Sequence, residues 1–375
     1  MPDRVTDRRA AVRRGAHPER RWCLSGGHQL ACRKAGDFGR SGGVSKPKVA
    51  FIGTGGTIAS LGRGPLDLQD YGATGNVMHA DEILAKWPET ALVADVIPVR
   101  YRNIASPAIG FPEWKGLVAL CQQLERDTPD LAGIVIGHGT ATLEETAYFL
   151  NLTVKVAIPV VLVGAQRPSS ALSSDAGMNL VSAIRVAASP DARGMGVLVV
   201  LNDEIHAARE VTKTSTLRLQ TFRTPDFGVL GHADGDAVAF YRRPVRRHAP
   251  DTEFDVSALA ALPRVDISYS YAGGDGVAAR AFVAAGARGI IAAGFAPGFC
   301  PPGEAEALTE AAKQGVLVVQ CTRAGSGRTF RSTKLQQAGF LIADNLNPQK
   351  ARILLALALT VTNDPEAIMR MFRTY

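Results

Sequence analysis

Two short segments of this 375-residue chain join hydroxyl side chains to glycine in a way that suits nucleophilic chemistry. One is Gly53-Thr54-Gly55-Gly56-Thr57-Ile58, the other Gly137-His138-Gly139-Thr140-Ala141-Thr142. A threonine hydroxyl is a weak nucleophile until a base removes its proton, and the oxyanion that forms on the attacked carbonyl needs donors aimed at it. The first segment reads as a glycine turn that exposes Thr57 at a strand end, with backbone N–H groups nearby. A nucleotide-binding turn fails on detail: the third glycine of G-x-G-x-x-G falls on Ile58, and no Gly-Lys-Ser/Thr follows. Residues 59–75 are rich in Gly, Asp and Pro and hold one tyrosine, Tyr71. That composition suits a lid that closes over substrate and excludes water, and equally a plain surface loop.

In the second segment Thr142 is followed three residues later by Glu145, then by apolar Leu143, Ala147, Leu150 and Val154 at helical spacing. The pattern predicts a capping box at a helix start. It sets Thr140 and Ala141 just before an N-terminus, where free N–H groups and the helix dipole favour an oxyanion or a carboxylate. Capping accounts for Thr142. It leaves Thr140 standing where a reacting carbonyl oxygen would be met.

The elements that must position these loops follow from the apolar runs at 49–52, 134–136, 159–163 and 197–201, most of which end at glycine. Between them lie segments of helical spacing at 113–124, 143–156 and 176–188. Continuous β-branched runs alternating with helices predict a parallel sheet covered on both faces. Residues 46–235 are therefore expected to form an N-terminal α/β domain. A charge- and proline-rich connection is expected at 236–264, clearest from 242 onward. The rhythm resumes at 265–269, 289–293 and 315–321 and ends in a helix at 348–362, predicting a smaller α/β domain over 265–375. Ligands of open parallel sheets bind outside the carboxyl ends of the strands, where both threonine segments lie.

Composition narrows the function classes. Residues 1–48 hold twelve Lys or Arg against four acids, so this stretch carries +8 of a net +7 and the rest sums to −1. A basic nucleic-acid surface would have to reside in that arm, which has no interleaved aromatics and no periodicity. Residues 1–45 read as a disordered basic tail, or as a product of start-site choice, since Val44 precedes the first strand. The arm has no apolar core of a secretory signal, and no run of about 18 apolar residues occurs to span a membrane. Five cysteines without ligand spacing read as scattered reduced thiols, and the expected location is cytoplasmic.

Taken together, the motifs resemble those of the bacterial asparaginase/glutaminase family. The run Thr54-Gly55-Gly56-Thr57-Ile58-Ala59 is similar to its first signature, and Gly137-His138-Gly139-Thr140 continuing through Leu143-Glu144-Glu145-Thr146-Ala147-Tyr148 to its second. Further likeness lies in Val163-Gly164-Ala165-Gln166-Arg167-Pro168, Val211-Thr212-Lys213-Thr214 and Leu346-Asn347-Pro348-Gln349-Lys350. The resemblance covers about residues 48–375 and implies a two-domain α/β amidohydrolase. It implies Thr57 as nucleophile with Tyr71 helping to activate it, and Thr140 paired with Lys213 as proton acceptor or orienting charge. In isolation Lys213 reads as a surface charge. The resemblance also places Ser106, counted back from Trp114, at the substrate carboxylate. It implies a homotetramer of intimate dimers acting on a small amide; no metal or organic cofactor is expected, because nucleophile, oxyanion donors and base are all protein groups.

Three departures remove polar recognition. Ala141 stands where the family has an aspartate that grips the substrate's α-ammonium group, and Pro107 where a polar residue usually touches the substrate. Tyr271-Ala272-Gly273-Gly274 replaces a stretch where relatives often reach into a neighbouring subunit's site. The expected activity is hydrolysis of asparagine or a related small amide. The alternatives are an amide without an α-ammonium, an isomerase or racemase using Lys213, and a non-catalytic amino-acid-binding module.

Overall fold

The computed structural model describes residues 45–375; the basic arm over 1–44, with Cys23 and Cys32, lies outside them. The first ten strands are β1 (Lys48–Gly53), β2 (Asp95–Arg100), β3 (Leu131–Gly137), β4 (Val160–Val163), β5 (Val197–Leu201), β6 (Glu204–Ala207), β7 (Thr212–Lys213), β8 (Phe222–Arg223), β9 (Gly231–Ala233) and β10 (Val238–Phe240). Eight of them form one sheet in the order β10-β9-β6-β5-β4-β3-β1-β2, while β7 and β8 pair separately as a short antiparallel ribbon. From β2 to β5 all pairings are parallel; β6, β9 and β10 extend the far edge in antiparallel fashion.

Helices cover both faces, and the alternation of side chains shows why. Ala50, Ile52, Ile134, Ile136, Val160, Leu162, Val197 and Val199 point into one core, shared with α3 (Phe111–Asp127) and α4 (Leu143–Thr153). Their neighbours Val49, Phe51, Val135, Val161, Leu198 and Val200 point into the other, shared with α1 (Ala80–Lys86), the short α2 (Thr90–Val93) and α5 (Ala176–Ala188). A strand buried on both faces has no polar side, so it reads as one apolar run. Each such aliphatic side chain contributes roughly 1.5–3 kcal/mol of burial. Helix α4 is buried nearly all round, with only Glu145 spared, because α3 and a C-terminal helix close over its outer side.

A second, four-stranded parallel sheet follows: β11 (Val265–Tyr269), β12 (Gly289–Gly294), β13 (Leu317–Thr322) and β14 (Leu341–Ile342), in that order. Helices α6 (Val277–Ala284) and α7 (Pro302–Lys313) pack on one face through Ala279, Ala307 and Leu308. The long helix Pro348–Val361 packs on the other through Leu354 and Leu355 and also against α4, so one apolar cluster runs continuously from the large sheet to the small one.

The α/β architecture with its larger and smaller parallel sheets is as the sequence predicts. Between Phe240 and Val265 no regular element forms, while β9 leads up to the expected connection and β10 carries the large sheet into it. Those edge strands are three residues each, too short for a periodic signal. Helix α3 starts earlier than the pattern because the carboxylate of Glu113 accepts from the Gly110 N–H at 3.0 Å and seals the turn before Trp114.

Candidate active site

Strand β1 has β2 on one side and β3 on the other, so the chain changes direction of winding between β1 and β3. The crevice at such a switch point is where an open α/β sheet binds ligand. Gly53 and Gly137 are register partners at the carboxyl ends of these two strands. Just beyond them Thr54 donates both its backbone N–H (3.0 Å) and its hydroxyl (2.9 Å) to the Gly137 carbonyl. The chain then turns through Gly55 (φ 100°) and Gly56 (φ 81°), left-handed conformations that side-chain-bearing residues rarely adopt. A Cβ on Gly55 would meet the Ile104 carbonyl at 2.9 Å, and one on Gly56 would run into the backbone of Gly139.

This turn delivers Thr57 to the first position of a 3-10 helix, Thr57–Ala59, where it is 9% exposed. Its hydroxyl lies 2.9 Å from that of Tyr71. Tyr71 opens a second short 3-10 helix, Tyr71–Thr74, within the segment expected to cover the site. The segment is tied down at both ends: Ser60 bridges Val77, the Leu61 N–H donates to Asn76 at 2.9 Å, and the Thr74 hydroxyl donates to Leu61 at 2.8 Å. Its middle is held by Gly62 and Pro65, which bond the Ser170 hydroxyl and the Leu172 N–H.

Thr140 lies in the parallel loop after β3 and is buried. The Lys213 ammonium donates to its hydroxyl at 2.7 Å, and that hydroxyl donates to the Gln166 side-chain carbonyl at 3.0 Å. Burial pulls the Lys213 pKa below the ordinary lysine value, against the opposing pull of the Glu144 carboxylate. Among the described residues the N–H groups of Thr140 and Ala141 meet no acceptor, leaving two donors free at the start of α4.

The expected capping box does not form. Thr142 occupies the N-cap position, but its side chain makes no cap bond; its hydroxyl instead donates to the Ser106 carbonyl at 2.8 Å. Tertiary competition for that hydroxyl explains the difference, since the bond pins the Ser106–Ala108 turn against the second loop. Ser106 is buried, with its hydroxyl so close that a Cβ on Gly139 would meet it at 2.6 Å. Pro107 and Ala141 are exposed and offer no polar side chain. Thr57 with Tyr71, Thr140 with Lys213, and Ser106 thus converge on the two touching glycine turns.

Three contributors were not singled out from sequence. His138 is fully buried, its Nδ1 2.8 Å from the Gly139 carbonyl and its Nε2 2.9 Å from the Thr146 hydroxyl. The Trp114 indole N–H, which can only donate, reaches that same hydroxyl at 2.8 Å. The Thr146 proton therefore goes to Nε2, and Nδ1–H donates to Gly139. Burial holds the imidazole down to about 4, so it is neutral and serves to fix the carbonyl before Thr140. Glu144 is buried under Asn347 and Gln349, each donating at 3.1 Å, with the Lys350 ammonium at 3.8 Å; Asn347 also reaches the Thr212 hydroxyl. Gln166 is the third. Each stands inside a quoted motif, but a neutral amide or a lone acid at a helix start has no distinctive spacing.

Fold and site together define a two-sheet α/β enzyme with a threonine at each of two adjacent strand ends and a partly buried lysine beside one of them. Family models described as "Asparaginase, N-terminal" and "Glutaminase/Asparaginase C-terminal domain" match residues 48–246 and 264–372. The chain belongs to the asparaginase/glutaminase family and is an amidohydrolase. It is 41% identical over 331 residues to L-asparaginase 2 of Bacillus subtilis (strain 168), covering 88% of this chain and 87% of that protein. It is 39% identical to the glutaminase-asparaginase of Pseudomonas fluorescens biotype A, over 87% of this chain and 90% of that one. The crystal structure of the probable cytoplasmic L-asparaginase from Campylobacter jejuni superimposes with a TM-score of 0.84 at 40% identity, covering 88% of this chain and all of the other. No helix among the described residues is long and apolar enough to cross a membrane.

Proposed function

We propose that the protein hydrolyses the side-chain amide of asparagine or a related small amide to the carboxylate and ammonia, with Thr57 as nucleophile. The observation that carries this is the pair of contacts at one switch point: Thr57 to Tyr71 at 2.9 Å and Lys213 to Thr140 at 2.7 Å, in loops joined at Gly56 and Gly139. Tyr71 relays the Thr57 proton: as the oxygen attacks the amide carbon, the Tyr71 hydroxyl takes that proton and gives up its own toward the amide nitrogen. The free N–H groups of Thr140 and Ala141 receive the oxyanion. Collapse of the tetrahedral intermediate expels the nitrogen, which takes up a proton and leaves as ammonia, and an ester on Thr57 remains. Water, relieved of a proton by the Thr140–Lys213 pair, cleaves that ester; the carboxylate departs and Thr57 regains its hydrogen. Ser106 faces the substrate's distant carboxylate. A homotetramer with sites completed by neighbouring subunits extends the family likeness to assembly, and the free thiols Cys121, Cys300 and Cys321 fit a reducing, cytoplasmic setting.

Ala141 motivates a second reading, which the named relatives do not favour, in which the substrate lacks an α-ammonium group. Among the described residues no carboxylate hydrogen-bonds Thr140 or Lys213, and Glu144 is engaged by Asn347 and Gln349. Ammonia release from asparagine, glutamine and succinamate by the wild type and by Thr57→Ala tests the proposal. Equal turnover by the variant would remove Thr57 from the reaction.

A further inference from the structure

Gln166 lies three residues beyond β4 and is held from behind. Its backbone N–H donates to one Asp175 carboxylate oxygen at 2.9 Å, the Arg167 N–H donates to the other at 2.9 Å, and Asn179 secures that carboxylate at 3.0 Å. The side-chain amide bridges two parts of the site. Its Nε2 donates to the carbonyls of Arg218 (3.2 Å) and Thr216 (3.5 Å), in the loop that follows Lys213. Its Oε1 accepts from Thr140 at 3.0 Å and from Lys213 at 3.1 Å. The opposite amide orientation would set oxygen against two carbonyls and NH2 against an ammonium, so the chemistry of the neighbours fixes which end faces the lysine.

Lys213, Thr140 and Gln166 form a closed triangle. The lysine donates to both partners, and Thr140 passes its own hydrogen to Gln166. Two of the three ammonium hydrogens are thereby used, and among the described residues the third has no acceptor. That third position is the one left to gain and lose a proton. We propose that Gln166 is the positioning residue of the Thr140–Lys213 pair, a neutral amide that holds the lysine in place without neutralising its charge. The inference rests on the role given above to Lys213.

A carboxylate at this distance would favour the charged lysine strongly; an amide oxygen satisfies the same geometry with a dipole alone. The neighbouring charges leave that difference intact. Among the described residues Glu144, from α4, is the one carboxylate that acts on Lys213, and it is shared with Asn347, Gln349 and, at 3.8 Å, Lys350 of the C-terminal helix. Asp175, at the start of α5, is spent on the amides of residues 166 and 167. Arg223, across the β7–β8 ribbon, turns to Glu204 at 3.5 Å, and Arg167 donates to the Ser173 carbonyl. From the covering segment comes the Tyr71 hydroxyl, bonded to Thr57.

The test compares Gln166→Glu and Gln166→Leu with wild type across pH, on whichever amide the wild type turns over. Gln166→Glu keeps the size of the side chain, gives up the two donations to the Arg218 and Thr216 carbonyls and adds a charge beside Lys213, so the acid limb of the kcat profile should move up by about 1–3 pH units, with turnover restored on the alkaline side. Gln166→Leu removes the acceptor without adding charge; kcat should fall roughly ten- to a hundredfold at every pH, with KM little changed and the limb unmoved. Thermal midpoints near wild type would confirm that both variants fold. Should Lys213→Met abolish turnover while both Gln166 variants keep the wild-type profile and rate, the positioning role is wrong and the reading of Lys213 stands. Were Lys213→Met to retain wild-type turnover, the parent reading would fail with it.

Discussion

Gly56 and Gly139 are in backbone contact: a Cβ added to Gly56 would lie inside the space of the Gly139 Cα and N atoms. This contact makes one site of two loops that are 83 residues apart in sequence at their threonines, Thr57 and Thr140. Substitution of Gly56 by alanine meets both a φ of 81° and an immovable backbone. We predict that Gly56→Ala costs about 1–3 kcal/mol of stability, as overpacking does, and lowers kcat by more than about a hundredfold through displaced geometry. Denaturant unfolding and steady-state rates check this. A stable, fully active variant would show that the loops need not touch.

Thr57→Ala removes one hydroxyl at a position whose backbone is already set by the glycine turn. The fold and thermal midpoint should be nearly unchanged, while kcat drops by several orders of magnitude. Tyr71→Phe keeps the ring and removes its only bond to Thr57, so a loss of roughly a hundredfold or more is expected, the usual worth of a positioned acid–base group. If the phenylalanine variant matches wild type, the proton leaves Thr57 by another route.

How much of this was visible in sequence depends on whether a residue's type announces its role. The strands ending at Gly53 and Gly137 were legible because burial on both faces writes a continuous apolar run, and the placement of Thr57 and Thr140 because their glycine-rich turns follow those runs directly. The contact of Lys213 with Thr140 could be anticipated only through family resemblance; its two-residue strand has no periodicity, and its partners lie 73 and 47 residues away. The Thr142 capping box was a fair local reading overridden by the Ser106 carbonyl, a partner 36 residues distant. Gln166 and His138 act as uncharged members of hydrogen-bond networks, and nothing in their spacing separates them from satisfied core residues.

Lys350 gives a stability prediction with a definite sign. It is fully buried, and burial pulls its pKa from 10.5 to about 8 against the attraction of Glu144. Below about 8 both folded and unfolded forms are protonated, and the folded state bears the whole cost of burying the charge. Between about 8 and 10.5 the unfolded chain holds more protons, so stability rises with pH by at most ~1.4 kcal/mol per unit from this group. Urea unfolding of wild type and Lys350→Met from pH 7 to 10.5 isolates the contribution by difference. Parallel curves for the two proteins would mean that Lys350 does not titrate in this window.

Ala141 bears most directly on the substrate. Its methyl group is exposed beside Thr140, and in the family resemblance an aspartate there grips the α-ammonium. If the missing carboxylate means that the substrate carries no such group, the wild type will handle asparagine poorly and succinamate better, since succinamate keeps the distal carboxylate for Ser106 and lacks the amine. Ala141→Asp should then shift preference toward asparagine by about 1.5–3 kcal/mol, the worth of a hydrogen bond to a charged group, or roughly ten- to a hundredfold in kcat/KM. The added carboxylate would also stand near Lys213 and favour its charged form, so the shift should come with a lower rate at neutral pH on both substrates. The competing expectation is that Glu144 supplies the acid. The structure opposes it with two side-chain amides on that carboxylate and Lys350 behind them. Steady-state kinetics on both amides for both proteins decide the matter: efficient, saturable asparagine hydrolysis by the wild type, in preference to succinamate, would show that the site grips an α-ammonium without a carboxylate at position 141.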